Sequence, residues 1–320
     1  MSDTLKMLFE VIQMRLFDLH CDTITELCKE NESLLHNDGH ISLDRAGYLT
    51  EYVQDYAVFI PDEFRGREAV DYFDKVYAYY KKQIESIPDM SEYKDRQNTK
   101  FKALLSVEGG AGMGGTIDGL HHLADCGVKL ITLTWNGRNE LASGCFDEED
   151  IGLTYFGREA VREMEKLHIA ADVSHLSKKG FYDLADIAEK PFVASHSCCD
   201  IVDNFKARHR NLTDDQVKII AEHGGIIGVN LWKMLLGNGD DNSFDAVLRH
   251  MSGMIELGGE KCVAMGTDFD GCGINPDLAG IEKIADLHSY LSRHGFSEKL
   301  LDDIFFANAD TFFANLLFTN

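Results

Sequence analysis

Positive charge is scarce in this sequence. Against 54 Asp and Glu residues stand 31 Lys and Arg, a formal net charge of −23 over 320 residues. A chain without a basic footprint is excluded as a nucleic-acid binder or as a ligand of anionic membrane surfaces. The same imbalance means that any anionic ligand needs a cation placed locally. Proline is equally sparse, at four residues, and no Pro- or Ser-rich linker, low-complexity tract or internal repeat divides the chain. No run approaches the roughly 18 apolar residues of a membrane span, and the N-terminus has no signal-peptide core. The eight cysteines include no Cys-x-x-Cys pair, so reduced thiols in a cytoplasmic protein are expected.

Three catalytic signatures are also missing. No Gly-x-Gly-x-x-Gly follows the first apolar run, which argues against a dinucleotide-binding sheet. Gly-x-Ser-x-Gly is absent, against a nucleophile elbow, and His-Glu-x-x-His is absent, against a gluzincin-type metalloprotease. The glycine-rich stretch Gly109–Gly115 lacks the Lys-Ser/Thr of a phosphate loop and reads as a flexible connection.

What the sequence does contain is a repeated alternation. Short apolar, β-branched runs occur at Leu16–Asp22, Val53–Ile60, Ala103–Glu108, Val128–Trp135, Ile169–His175, Phe192–His196, Ile226–Leu231 and Val263–Asp268. Between them lie stretches of helical periodicity, such as Ala160, Val161, Met164 and Leu167, or Phe181, Leu184, Ala185 and Ala188. Thr213-Asp214-Asp215-Gln216 has the form of a capping box. Strand and helix in alternation imply parallel strands with right-handed crossovers, and eight units in an undivided chain predict one (β/α)8 barrel over residues 14–320. Residues 1–13 stand apart as an N-terminal extension.

In such a barrel the chemistry sits at the C-terminal ends of the strands. The first run ends in His20-Cys21-Asp22, and strand alternation predicts His20 and Asp22 on one face with Phe17, Leu19 and Cys21 packed against the helices. A lone His-x-Asp would read instead as a buried hydrogen-bonded pair. The third run ends in Glu108, a carboxylate that is costly to bury unpaired and whose two oxygens can serve two cations. The fifth and sixth runs each finish in Ser-His, at His175 and His196, and the eighth ends near Asp268. Six such groups at successive strand ends exceed one ion's need and fit two neighbouring zinc-like ions sharing a carboxylate. Cys198-Cys199 reads as soft packing near the site, and His121-His122 as solvated helix surface.

In order along the chain, His20-x-Asp22, Val-Glu108-Gly-Gly, Asp-Val-Ser-His175, Ser-His196-Ser, Arg210-Asn211 and Thr-Asp268-Phe-Asp-Gly resemble the membrane (renal) dipeptidase family of zinc peptidases. The resemblance runs from about Met14 nearly to the C-terminus. It implies an amidohydrolase-like barrel that hydrolyses dipeptides with two zinc ions bridged by Glu108 and a hydroxide. His20 and Asp22 would hold the first ion, and His175 and His196 the second. Asp268 would serve as acid and base, Arg210 would bind the substrate's terminal carboxylate, and a homodimer is implied. The pattern departs at one place: where mammalian members carry a histidine after the fourth strand, this chain has Trp135, which puts a different wall on the substrate pocket. The competing readings are another binuclear amidohydrolase, acting on N-acyl amino acids, lactones or phosphoesters, and a metal-binding protein without catalysis.

Overall fold

The computed structural model describes residues 14–95, 97–238 and 244–318. The 1–13 extension therefore lies outside the described residues. Among the described residues there are nine parallel strands: β1 (Met14–Cys21), β2 (Leu49–Phe59), β3 (Met90–Glu92), β4 (Phe101–Glu108), β5 (Leu130–Thr132), β6 (Ala170–Asp172), β7 (Val193–Ser197), β8 (Ile226–Val229) and β9 (Val263–Met265). Neighbours run β2-β1-β9-β8-β7-β6-β5-β4, and β2 also pairs with β4, so these eight close on themselves. The predicted eight-stranded (β/α)8 TIM-type barrel is thus the fold, and each predicted run supplies one barrel strand. The ninth, β3, was not foreseen; it pairs only with the first residues of β4, where short β5 does not reach.

Two apolar layers hold the barrel. The outer layer buries one face of each surrounding helix against the strands. The helix Tyr155–Lys166 buries Ala160, Val161 and Met164, and Lys178–Ala185 buries Phe181 and Leu184, as their spacing predicts. Thr213 forms the expected capping box with Gln216, opening the helix Asp214–Glu222. The inner layer draws Phe17, Val53, Leu104, Leu130, Ala170, Val193, Ile226 and Ala264 into one cluster. Each of the eight barrel strands contributes to this inner cluster. Phe306, Phe312 and Phe313, from the C-terminal segment, close this floor, with the Phe313 ring stacked on Phe17 at 5.5 Å.

Two expectations are corrected. Phe17 and Leu19 face into the barrel, and only Cys21 packs outward. A register shift in β1 between Asp18 and Cys21 breaks strict alternation, so Leu19 and His20 both reach the interior side. Gly109–Gly115 is a tight turn, buried through Met113, that includes the 3-10 helix Gly110–Met113. A Cβ on Gly110 would lie 2.2 Å from Leu141 and 2.8 Å from the Leu133 carbonyl, so these glycines serve close packing. His121 and His122 stand partly exposed at the surface, paired with Glu163 and Asp74.

Candidate metal centre

The strand ends converge as predicted. His20, Asp22, Glu108, His175, His196 and Asp268 are all at most 9 % exposed and gather at the C-terminal mouth. Glu108 ends β4 and His196 lies within β7, so the sheet itself aims them. Asp22 and Asp268 sit just past their strands and are tied together through backbone bonds: Asp22 N–H to the Phe269 carbonyl, Asp268 N–H to the His20 carbonyl. His175 lies three residues beyond β6. Both His175 (φ 64°) and Asp268 (φ 60°) adopt the left-handed conformation, costly for residues with a Cβ and concentrated at functional sites. Gly271 makes room beside them: a Cβ there would come 2.0 Å from an Asp22 oxygen and 2.4 Å from an Asp268 oxygen.

Glu108 stands at the centre. Its Oε2 lies 3.6 Å from His20 Nε2, while Oε1 lies 3.1 Å from His175 Nε2 and 3.6 Å from His196 Nε2. On the far side of His20, Asp22 Oδ2 is 3.5 Å from the same Nε2. The His20 and His196 rings stack at 3.8 Å between centroids. Ligand atoms of His20, Glu108 and His196 fall within 4.8 Å of one another, as do those of His20, Asp22 and Asp268.

The hydrogen bonds behind the ring determine which nitrogen faces inward. Asp172 ends β6, fully buried, and accepts from Thr132 Oγ1 and Ser195 Oγ at 2.6 Å each. The Ser195 hydroxyl proton is thereby used, so its oxygen accepts from His196 Nδ1 at 2.7 Å. His175 Nδ1 likewise donates to Asn136 Oδ1 at 3.0 Å. Both imidazoles then present a bare Nε2 to Glu108 Oε1, and lone pairs aimed at a carboxylate need a cation between them. Buried His196 Nε2 and both His20 nitrogens have no hydrogen-bond partner. The donor set therefore fits metal ions.

Electrostatics point the same way. Burial, reinforced by the Arg210 charge, pushes His175 down to about 4, and burial with the neighbouring His20 charge pushes His196 well below its ordinary value. Neutral imidazoles are what a metal requires. Burial alone would raise Glu108, but His20 and His175 hold it well below the carboxylate range. Burial and then the Glu108 charge push Asp22 up to about 7. Burial also raises Asp268, against the pull of His20. His20, disfavoured as a cation by burial, is raised well above its ordinary value by Glu108 and Asp22. Three carboxylates in one buried cluster demand positive charge.

The cluster opens into a cavity of about 540 Å³ whose lining includes Glu108, Trp135, Asn136, His175, Arg210 and Asp268. Arg210, 4 % exposed, ends the short helix Phe205–Arg210 and reaches the His196 carbonyl at 3.3 Å. Its Nε has no partner, and among the described residues no carboxylate pairs with it. Trp135 packs edge-on against Phe59 at 4.9 Å. Sequence reasoning missed Asn136, Asn230, Lys206 and Trp232. Asn230 follows β8 directly and donates to Asp268 Oδ2 at 3.0 Å. Lys206 Nζ hangs 4.6 Å over Phe146 and 6.0 Å from Trp232, with nothing in its local sequence to announce it.

Comparison with known proteins places the chain in a family. A protein of the pqqA 5′ region of Klebsiella pneumoniae is 30% identical over 223 residues, covering 67% of this chain and 81% of that protein. An uncharacterized dipeptidase of Schizosaccharomyces pombe is 30% identical over 199 residues, 60% of this chain, and the match spans about half (47%) of the yeast protein. A metallo peptidase from Rhodobacter sphaeroides, solved with a phosphinate mimic of the dipeptide L-Ala-D-Ala, superposes with a TM-score of 0.85 at 23% identity, over 94% of this chain and 99% of that one. Among the described residues no helix is long and apolar enough to cross a membrane. The model of the membrane dipeptidase family matches residues 8–312, and the chain belongs to that family, peptidase family M19, as a metal-dependent peptidase.

Proposed function

We propose that the protein is a binuclear zinc dipeptidase in which His20 and Asp22 hold one ion, His175 and His196 hold the other, and Glu108 contacts both. One observation carries the reading: the two Glu108 oxygens are divided, Oε2 toward His20 and Oε1 toward His175 and His196. Imidazole and carboxylate donors suit zinc. When bound, the pair supplies Lewis acidity toward the scissile carbonyl and an activated water near neutral pH.

The remaining work belongs to the chain. Asp268, steadied by Asn230, takes the proton of the attacking water and returns it to the leaving amine. Arg210, with its Nε free, receives the substrate's terminal carboxylate through its fork of donors. Lys206 adds a second cation to the same cavity. Trp135 and Phe59 form the apolar wall against which a substrate side chain packs. The small cavity and its fixed carboxylate anchor favour dipeptides over longer chains. The phosphinate mimic bound by the Rhodobacter neighbour supports including a C-terminal D-residue in the substrate range.

Elemental analysis and a substrate panel test the proposal together. The purified protein should carry close to two zinc ions per chain and hydrolyse L,L- or L,D-dipeptides faster than N-acyl amino acids, lactones or phosphoesters. Metal content near zero would sink both this reading and its amidohydrolase rival. Asp268→Asn should lower kcat by roughly 10²–10⁴-fold with metal content unchanged. Substantial residual turnover in that variant removes Asp268 from its role.

A further inference from the structure

A histidine that offers Nε2 to a cation carries its proton on Nδ1, and that proton needs an acceptor. Two of the three site histidines have one, His175 in Asn136 and His196 in Ser195. His20 does not: its Nδ1 is buried without a partner. Two other interior groups share that condition, both carboxyl oxygens of Asp55 and the hydroxyl of Ser106.

Their positions coincide. Val53 on β2 belongs to the floor cluster and Phe59 lines the cavity, so alternation places Asp55 inside the barrel between floor and mouth. On β4, Leu104 is the register partner of Asp55 and is also a floor residue; Ser106 comes two residues above it, and Glu108 two above that. On β1, His20 follows the floor residue Leu19. Asp55 is 0 % exposed, in a place where a carboxyl without a partner is strongly disfavoured. Burial pushes Asp55 up, and the foremost influence opposing it is the charge of His20, with the nearby Ser106 hydroxyl next.

We propose that Asp55 is the positioning residue of His20: one carboxyl oxygen accepts the Nδ1–H, directly or through one ordered water shared with Ser106. The bond selects the tautomer that leaves Nε2 facing Glu108. A carboxyl group keeps an accepting oxygen in either protonation state, so the role does not depend on its ionisation. The inference rests on the metal-site reading, because the orientation of Nε2 matters only if His20 is a ligand.

Zinc-loaded protein labelled with ¹⁵N-histidine tests it. Three Nδ1–H signals are expected from His20, His175 and His196, and Asp55→Asn should move one of them and leave the other two. The Asn carbonyl still accepts, so this variant keeps metal affinity close to wild type. Asp55→Leu, which cannot accept, should lose roughly 10–100-fold in affinity at one of the two ions, read by competition with a chromophoric chelator. Three unmoved signals in Asp55→Asn overturn the proposal, and that spectrum decides even if Asp55→Leu fails to fold. So does an Asp55→Leu protein that holds both ions as tightly as wild type. A wild-type protein that binds no zinc fails the metal-site reading itself, a result distinct from either.

Discussion

The floor and the mouth of this barrel are built from the same strands on opposite rules. At the floor every barrel strand contributes an apolar residue, and Phe306, Phe312 and Phe313 close the layer. At the mouth the same strands end in buried carboxylates and imidazoles, two of them held at positive φ. The floor satisfies alternation, packing and burial at once. The mouth violates each of them, with a register shift in β1, left-handed turns at His175 and Asp268, and orphaned nitrogens on His20 and His196. A fold tolerates such strain where other elements hold the geometry. Stability should therefore reside in the floor and activity in the mouth, and mutations should separate the two.

The largest effect is expected from Glu108→Ala. Losing the carboxylate shared between the two histidine sets should cost metal and at least about 10³-fold in kcat/KM, several kcal/mol of transition-state stabilisation. The metal-free variant should unfold close to metal-free wild type, because the attraction lost to His20 and His175 is offset by relief of the repulsion from Asp22 and Asp268. Calorimetry of both apo proteins checks this. A large drop in the apo midpoint would mean that the mouth also carries the fold.

The reverse experiment is Phe313→Ala. Its ring is fully buried against Phe17, and its loss should destabilise the protein by roughly 3–5 kcal/mol. At a temperature where the variant is folded, kcat and metal content should match wild type. A fall in kcat there would erase the separation. Arg210→Met comes next, within the mouth itself. Removing a charged donor should cost roughly 1.5–3 kcal/mol in kcat/KM toward dipeptides and leave metal content intact. An equal loss toward a substrate lacking the terminal carboxylate would remove Arg210 as the anchor.

The contrast also governs what could be read from sequence. The eight runs and the helical stripes were legible because floor and outer layer obey periodicity. The six mouth residues were legible for another reason: a polar residue at a strand end is visible whichever way the strand is phased. That is why His20 was found even though the sidedness of Phe17 and Leu19 was misjudged. Asn230 carried the same signal, at the end of an apolar run, but its purpose depends on Asp268, 38 residues further on. Asp55 was visible as a charge inside a run, yet only closure of β2 onto β4 puts it beneath the site. Arg210 lies on a short helix after β7, and no periodicity points to it.

His250 offers the smallest and sharpest test, because it resembles His196 in everything except its partners. Both rings are fully buried and both are pushed down in pKa by burial, His250 to about 4. The difference is that His250 is satisfied on both sides: Nδ1 accepts from the Cys199 N–H at 3.1 Å, so Nε2 donates to the Leu236 carbonyl at 3.1 Å. No lone pair is left for a ligand, and the ring is a structural tie. Its depressed pKa means the unfolded chain binds the extra proton first. The stabilisation is complete above the ordinary value of 6.5 and is lost as pH falls toward 4. His250→Gln cannot titrate, so it should be less stable than wild type at pH 7 but lose less on acidification. The gap should narrow by on the order of 2 kcal/mol between pH 7 and 4.5, measured by urea unfolding of the two metal-free proteins. The mouth carboxylates titrate identically in both, so they cancel in the difference. Parallel curves would mean that burial alone does not hold His250 neutral, and would weaken the distinction between a satisfied buried histidine and one that is waiting for a metal.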